Sequence, residues 1–162
     1  MGVYTIALGQ GSNVFAIVRG PYSAKVVKLT IGEIPDDEEI IVEFGERGEG
    51  PGQFTWPAGI AVDGQENVFV TDEWLHRVSV FTADGEFLRT FGTAGNGESQ
   101  FNRPSGITID SNDDIYVSDS LNHRIQKLSN DGRFINEWGS RGADAGEFNS
   151  PWGITTDGQG HV

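Results

Sequence analysis

The run Asp110-Ser111-Asn112-Asp113-Asp114 has the alternating oxygen side chains that open a calcium-binding loop. Such a loop also needs a glycine at its sixth place and a glutamate at its twelfth. Here those places hold Ile115 and Leu121. Asp110, Asn112 and Asp114 are therefore the calcium candidates to consider, but the run reads as a hairpin turn and no cofactor is expected. The glycine-rich stretches 45–52 and 92–97 invite comparison with phosphate loops. Each leads from one strand-like segment into another, with no Lys-Ser/Thr pair and no helix start to hold an anion. His76 and His123 each precede an arginine, His161 stands apart, and the three make no ligand set. Cysteine is absent, which removes thiolate nucleophiles, thiolate metal ligands and disulfides. Asp72 with Arg77, and Asp119 with Arg124, bracket two short turns. A pair that recurs in this way reads as a device of the fold, its carboxylate taking turn N–H groups with the arginine beside it.

The elements that position these residues follow from a repeat. Pro57 and Gly59 recur as Pro104 and Gly106, and again as Pro151 and Gly153, each 47 residues on (104 − 57; 151 − 104). The same offset carries Phe54 onto Phe101 and Phe148, Phe44 onto Phe91 and Trp138, and Asp72 and Arg77 onto Asp119 and Arg124. Each unit reads as four short strands: an apolar one over 58–63 and 105–110, and a β-branched one over 68–72 and 115–119. A third follows over 77–82 and 124–129, and a fourth over 86–91 and 133–138. Tight Asp-Gly turns join the last two. Four antiparallel strands per unit of about 40–50 residues predict an all-β protein, a β-propeller built of four-stranded blades. One domain is expected over 1–162. Residues 1–43 are a degenerate first unit with an insertion over 31–39, 44–90 and 91–137 are full units, and 138–162 begin the next. Such an incomplete propeller needs further blades or self-association to close its ring.

The segments FGERGEGPGQFTWPAGIAVD, NVFVTD and HRVSVF, with FGTAGNGESQFNRPSGITID, IYVSD and NHRIQKL, resemble NHL repeats. The resemblance is strong over 44–162 and weak over 1–43. It implies a propeller, commonly of six blades, of which this chain would be a fragment. Peptide-amidating lyases of this group place a zinc-binding histidine directly after a repeat proline. The matching places here are Ala58, Ser105 and Trp152. Lactone hydrolases of related shape need an axial calcium cage, which these units do not assemble. Membership therefore implies a non-catalytic scaffold, with a metal-dependent lyase-like or hydrolase-like propeller enzyme as the alternative.

Positions shared by the units serve the fold, so positions where one unit departs toward a large aromatic are free for binding. Trp56 stands where the other units have Arg103 and Ser150, Trp74 where the next has Leu121, and Trp152 where the others have Ala58 and Ser105. All three lie on connections expected on one face of a propeller. Trp56, Trp74 and Trp152, rimmed by Arg47, Glu73 and Arg103, are the expected binding residues for a protein or peptide partner.

Charge narrows the partner class. The 162 residues carry 24 acidic and 11 basic side chains, a formal charge of −13. Neutralising a phosphate backbone takes several clustered cations, so nucleic acid and anionic membrane are not expected partners. No apolar run of membrane-spanning length and no signal peptide is seen, which makes the cytoplasm the default compartment.

Overall fold

The computed structural model describes residues 2–30, 39–157 and 161–162. The insertion expected over 31–39 lies, up to residue 38, outside the described residues. The first sheet comprises β1 (Gly2–Leu8), β2 (Asn13–Gly20), β3 (Ser23–Thr30) and β4 (Glu39–Phe44). The second comprises β5 (Pro57–Val62), β6 (Val68–Asp72), β7 (Arg77–Phe81) and β8 (Phe87–Phe91). A two-residue parallel pair, β9 (Thr93–Ala94) with β10 (Gln100–Phe101), precedes the third. That sheet comprises β11 (Pro104–Ile109), β12 (Ile115–Asp119), β13 (Arg124–Leu128) and β14 (Phe134–Trp138). Each four-stranded sheet is an antiparallel meander in sequence order. The chain is all-β, and these sheets are propeller blades.

The alternation of side chains along each strand explains why blades stack. On β6, Val68 and Val70 turn toward the first blade, where they join Phe15, Ile17, Val26, Phe44 and Phe54. Phe69, between them, turns the other way and joins Phe101, Ile107, Ile115, Val117 and Leu128 of the third. A strand buried on both faces loses the polar alternation of a surface sheet, and β6 is buried at every residue. Phe54 and Phe101 are fully buried. Removing a ring of this kind costs about 3–5 kcal/mol.

The repeat glycines set the spacing of inner strands. A Cβ on Gly59 would stand 2.3 Å from the Ser105 carbonyl oxygen, and one on Gly106 would stand 2.4 Å from that of Trp152. The Gly106 N–H donates to the Trp152 carbonyl at 2.8 Å, so the segment after Pro151 lies against β11.

The glycine loops close on themselves. In each unit a side-chain oxygen folds back onto a loop N–H: Gln53 onto Gly50, Gln100 onto Gly97, and Glu147 onto Asp144, all at 2.9–3.0 Å. A Cβ on Gly48 or Gly95 would strike that side chain at 2.2 Å. The glycines thus make room for an internal acceptor on the loop's own donors.

Asp110 makes the turn expected of it. Its Oδ1 accepts the N–H groups of Asn112 and Asp114 at 2.9 and 3.0 Å, while Asp113 takes a positive φ. The Lys127 ammonium lies 2.7 Å from Asp114 Oδ2 and 3.7 Å from Asp110 Oδ2, in the space between the carboxylates.

Candidate functional site

The connections before the first strand and after the second meet through one carboxylate. Asp72, at the end of β6, is fully buried and accepts the N–H groups of Thr55 (2.7 Å), Trp56 (3.0 Å), Trp74 (3.0 Å) and Leu75 (3.0 Å). Arg77 turns away from Asp72 toward the glycine loop. Its guanidinium donates to the carbonyls of Glu49, Gly50 and Gln53 and so ties the glycine loop to β7. In the next unit Arg124 does both, bonding the Asp119 carboxylate at 2.9 Å and the carbonyls of Gly97 and Gln100.

The histidines join blades. Nδ1 of His76 accepts the Arg103 N–H, and Nδ1 of His123 accepts the Ser150 N–H, each at 3.1 Å. Both histidines sit at positive φ, as do Arg103 and Ser150. The identical geometry in two units is the mark of a linker.

On this frame Trp56, Trp74 and Trp152 stand 49%, 65% and 56% exposed. They do not form one cluster. Trp56 and Arg47 line a recess of about 340 Å³ together with Arg19, Pro21, Ser23 and Thr55. Trp152, Glu73 and Arg103 line a smaller one of about 80 Å³ with Ser120, Leu121 and Ser150. The two adjoin through the backbone, where the Glu73 N–H donates to the Trp56 carbonyl at 3.0 Å. Trp74 occupies the β6–β7 turn, tied to Trp56 through Asp72.

Two features of this face were not expected from the sequence. Glu73 is 98% buried at its side chain (2% exposed); Oε2 pairs with Arg103 at 2.8 Å, while Oε1 has no hydrogen-bond partner among the described residues. Arg19, on β2, lies between two rings, its guanidinium carbon 3.4 Å from the centroid of Tyr4 and 4.6 Å from that of Trp56. Its Nη1 is buried and likewise unpartnered. Among the described residues no group of three or more His, Cys, Asp or Glu side chains has the arrangement of a metal site, and no helix is long and apolar enough to cross a membrane.

The NHL repeat family matches residues 54–81 and 101–128, each running from the buried phenylalanine to the third strand. Over 43 residues the chain is 49% identical to the B-box type zinc finger protein ncl-1 of Caenorhabditis elegans, covering 26% of this chain and 5% of that protein. The solved structure of a virginiamycin B lyase from Staphylococcus aureus with quinupristin is similar at a TM-score of 0.68 and 20% identity, over 98% of this chain and 46% of that one. A gluconolactonase from Xanthomonas campestris is similar at 0.58 and 13%, over 96% and 50%. The chain thus spans about half the length of these structures and a twentieth of the curated relative, and at such identities the structures speak for the fold alone. Two NHL repeats are matched in register, each running through the first three strands of a four-stranded blade, in a chain whose fold is that of a β-propeller.

Proposed function

We propose that this NHL propeller is a binding scaffold whose loop face docks a protein or peptide partner, without chemistry of its own. The observation that carries the reading is the exposure of Trp56, Trp74 and Trp152 on a frame whose backbone donors are already satisfied by Asp72. Leaving large apolar surface in water forgoes roughly 25 cal/mol per Å². Aromatic side chains held on a rigid base, with arginines beside them, are the usual anchors of protein interfaces. The alternative, a lyase-like or hydrolase-like enzyme, draws on likeness of fold, and Ala58, Ser105 and Trp152 stand where the lyase resemblance implies a histidine.

The test is alanine at Trp56 and at Trp74 in the full-length protein. Anchors lose about ten-fold or more in partner affinity while the melting temperature holds. If both substitutions lower the melting temperature and leave binding intact, the residues are packing and the reading fails.

A further inference from the structure

The recess beside Trp56 differs in charge from the rest of the molecule. Against a formal charge of −13, its lining contains two arginines and no carboxylate. Arg47 is exposed, and its Nη1 donates to the Pro21 carbonyl at 2.8 Å. The Arg19 guanidinium lies over the rings of Tyr4 and Trp56, a cation–π contact on both sides that holds it in place and buries its Nη1. A guanidinium carries five donors in a rigid fork, and a buried donor without an acceptor is unfavourable. An anionic acceptor offsets that cost.

The place of Arg19 in the repeat supports a binding role. Asn13-Val14-Phe15 matches Asn67-Val68-Phe69 at an offset of 54 (67 − 13), which puts Arg19 where the second blade has Glu73 and the third Ser120. One position at the end of the second strand is thus basic, acidic and neutral in successive blades, so the fold does not dictate its residue. Ser120 is satisfied by the Pro151 carbonyl at 2.6 Å. Arg19 and Glu73 each keep a buried polar atom without a partner.

Resting on the proposed docking function of this face, we infer that the Arg19–Arg47–Trp56 recess binds a carboxylate of the partner peptide, an acidic side chain or a free C-terminus. The two arginines provide the fork for the carboxylate, and the Trp56 ring provides an apolar wall for the adjoining chain. A single carboxylate suits the site better than a polyanion. The surrounding net negative charge repels a run of phosphates, whereas one charge seated on two guanidinium groups is neutralised locally.

A random heptapeptide display library panned against the full chain tests this, with folding of every variant checked by circular dichroism. The expected result is a set of peptides sharing one acidic position or a required free C-terminus. For such a peptide, neutralising that group weakens binding about ten-fold to the native chain. It has little effect on the Arg19→Gln or Arg47→Gln chain, while Arg133→Gln behaves as native. Arg47 is exposed, so its variant keeps the test valid should Arg19→Gln unfold the first blade. Peptides that need Trp56 but share no acidic group and bind both arginine variants normally overturn the carboxylate assignment and leave the docking function standing. Failure to enrich any peptide above a Trp56→Ala control overturns both. Tight binding of a single-stranded RNA pool that depends on Arg19 and Arg47, with no acidic peptide enriched, also overturns the carboxylate assignment.

Discussion

Asp72 accepts the backbone N–H of Trp56 at 3.0 Å on Oδ2 while its Oδ1 takes that of Trp74, also at 3.0 Å. Two exposed indoles from different connections are therefore held by one buried carboxylate. Their positions depend on the end of β6 and not on contacts between the rings. A face built in this way is ordered by the fold itself, which would reduce the ordering cost of the proposed docking.

Asp72→Ala leaves four backbone donors without that acceptor in a buried setting. We expect a loss of about 2–4 kcal/mol of stability, with Asp72→Asn less severe because its carbonyl retains an acceptor. Urea denaturation monitored by tryptophan fluorescence measures both. Asp119→Ala should cost as much, since Asp119 takes the Asn102 N–H and the Arg124 side chain. Equal stability of Asp72→Ala and the native chain would mean that the loops do not need this carboxylate.

Two of the three repeat glycines, Gly59 and Gly153, should respond differently to the same change. A Cβ at Gly59 would meet the Ser105 carbonyl at 2.3 Å and the Ile107 nitrogen at 3.1 Å, so two inner strands would have to part. Overpacking of this kind costs about 1–3 kcal/mol. At Gly153 nothing among the described residues lies within 4 Å, and alanine should change stability by about 0.5 kcal/mol or less. Thermal unfolding of Gly59→Ala beside Gly153→Ala decides the point, and equal midpoints would count against close strand approach as the role of Gly59.

The sequence repeat made most of this architecture legible. The second strands fall where the β-branched runs put them, at Val68–Asp72 and Ile115–Asp119. The first strands begin one residue earlier than expected, at Pro57 and Pro104, because each proline is in register with the aspartate that ends the second strand. Trp56, Trp74 and Trp152 were readable as departures from the repeat, and they are exposed. Their division between two recesses was not readable, since that depends on how loops of neighbouring blades meet. Arg19 was missed because the first blade follows the others at a different offset. Once Asn13-Val14-Phe15 is set on Asn67-Val68-Phe69, Arg19 falls opposite Glu73 and stands out. The unexpected bonds of Arg77 have a similar cause. A carbonyl-lined loop leaves no trace in side-chain spacing, whereas an Asp–Arg pair does.

Nucleic acid should not bind this chain with useful affinity. Of its eleven basic residues several are already engaged with acids or carbonyls, Arg103 with Glu73, Arg124 with Asp119 and Glu137, and Arg133 with Asp131. A filter-binding or fluorescence-anisotropy titration with single-stranded RNA should show no saturable binding at physiological salt. A tight complex that weakens steeply as salt rises would indicate a cationic track formed by other residues.

Lys127 gives the third blade an ion pair at a place where the second has an apolar residue. Val80 occupies the equivalent place in the second blade, buried against its neighbour. At Asp110 burial alone would raise the carboxyl pKa. The N–H groups of Asn112 and Asp114, the Tyr116 hydroxyl and the Lys127 ammonium outweigh it, so the group sits below its ordinary range. The Lys127 ammonium is in turn held well above the usual lysine range, chiefly by its bonds to Asp114 and Tyr116. A carboxyl lowered on folding adds stability above its unfolded pKa, and that stability fades as pH falls through the folded value. A lysine raised on folding adds stability below its unfolded pKa, and this is lost as pH rises through the folded one. Lys127→Met should therefore cost about 1 kcal/mol near neutral pH, where both groups are charged. The difference between native and variant chains should shrink as pH falls through the lowered Asp110 value and that carboxylate takes up its proton. Urea midpoints of the two proteins at about pH 7 and about pH 2, below the lowered carboxyl, measure this directly. A gap of the same size at both values would mean that Lys127 acts through its aliphatic stem against Tyr116 and not through its charge.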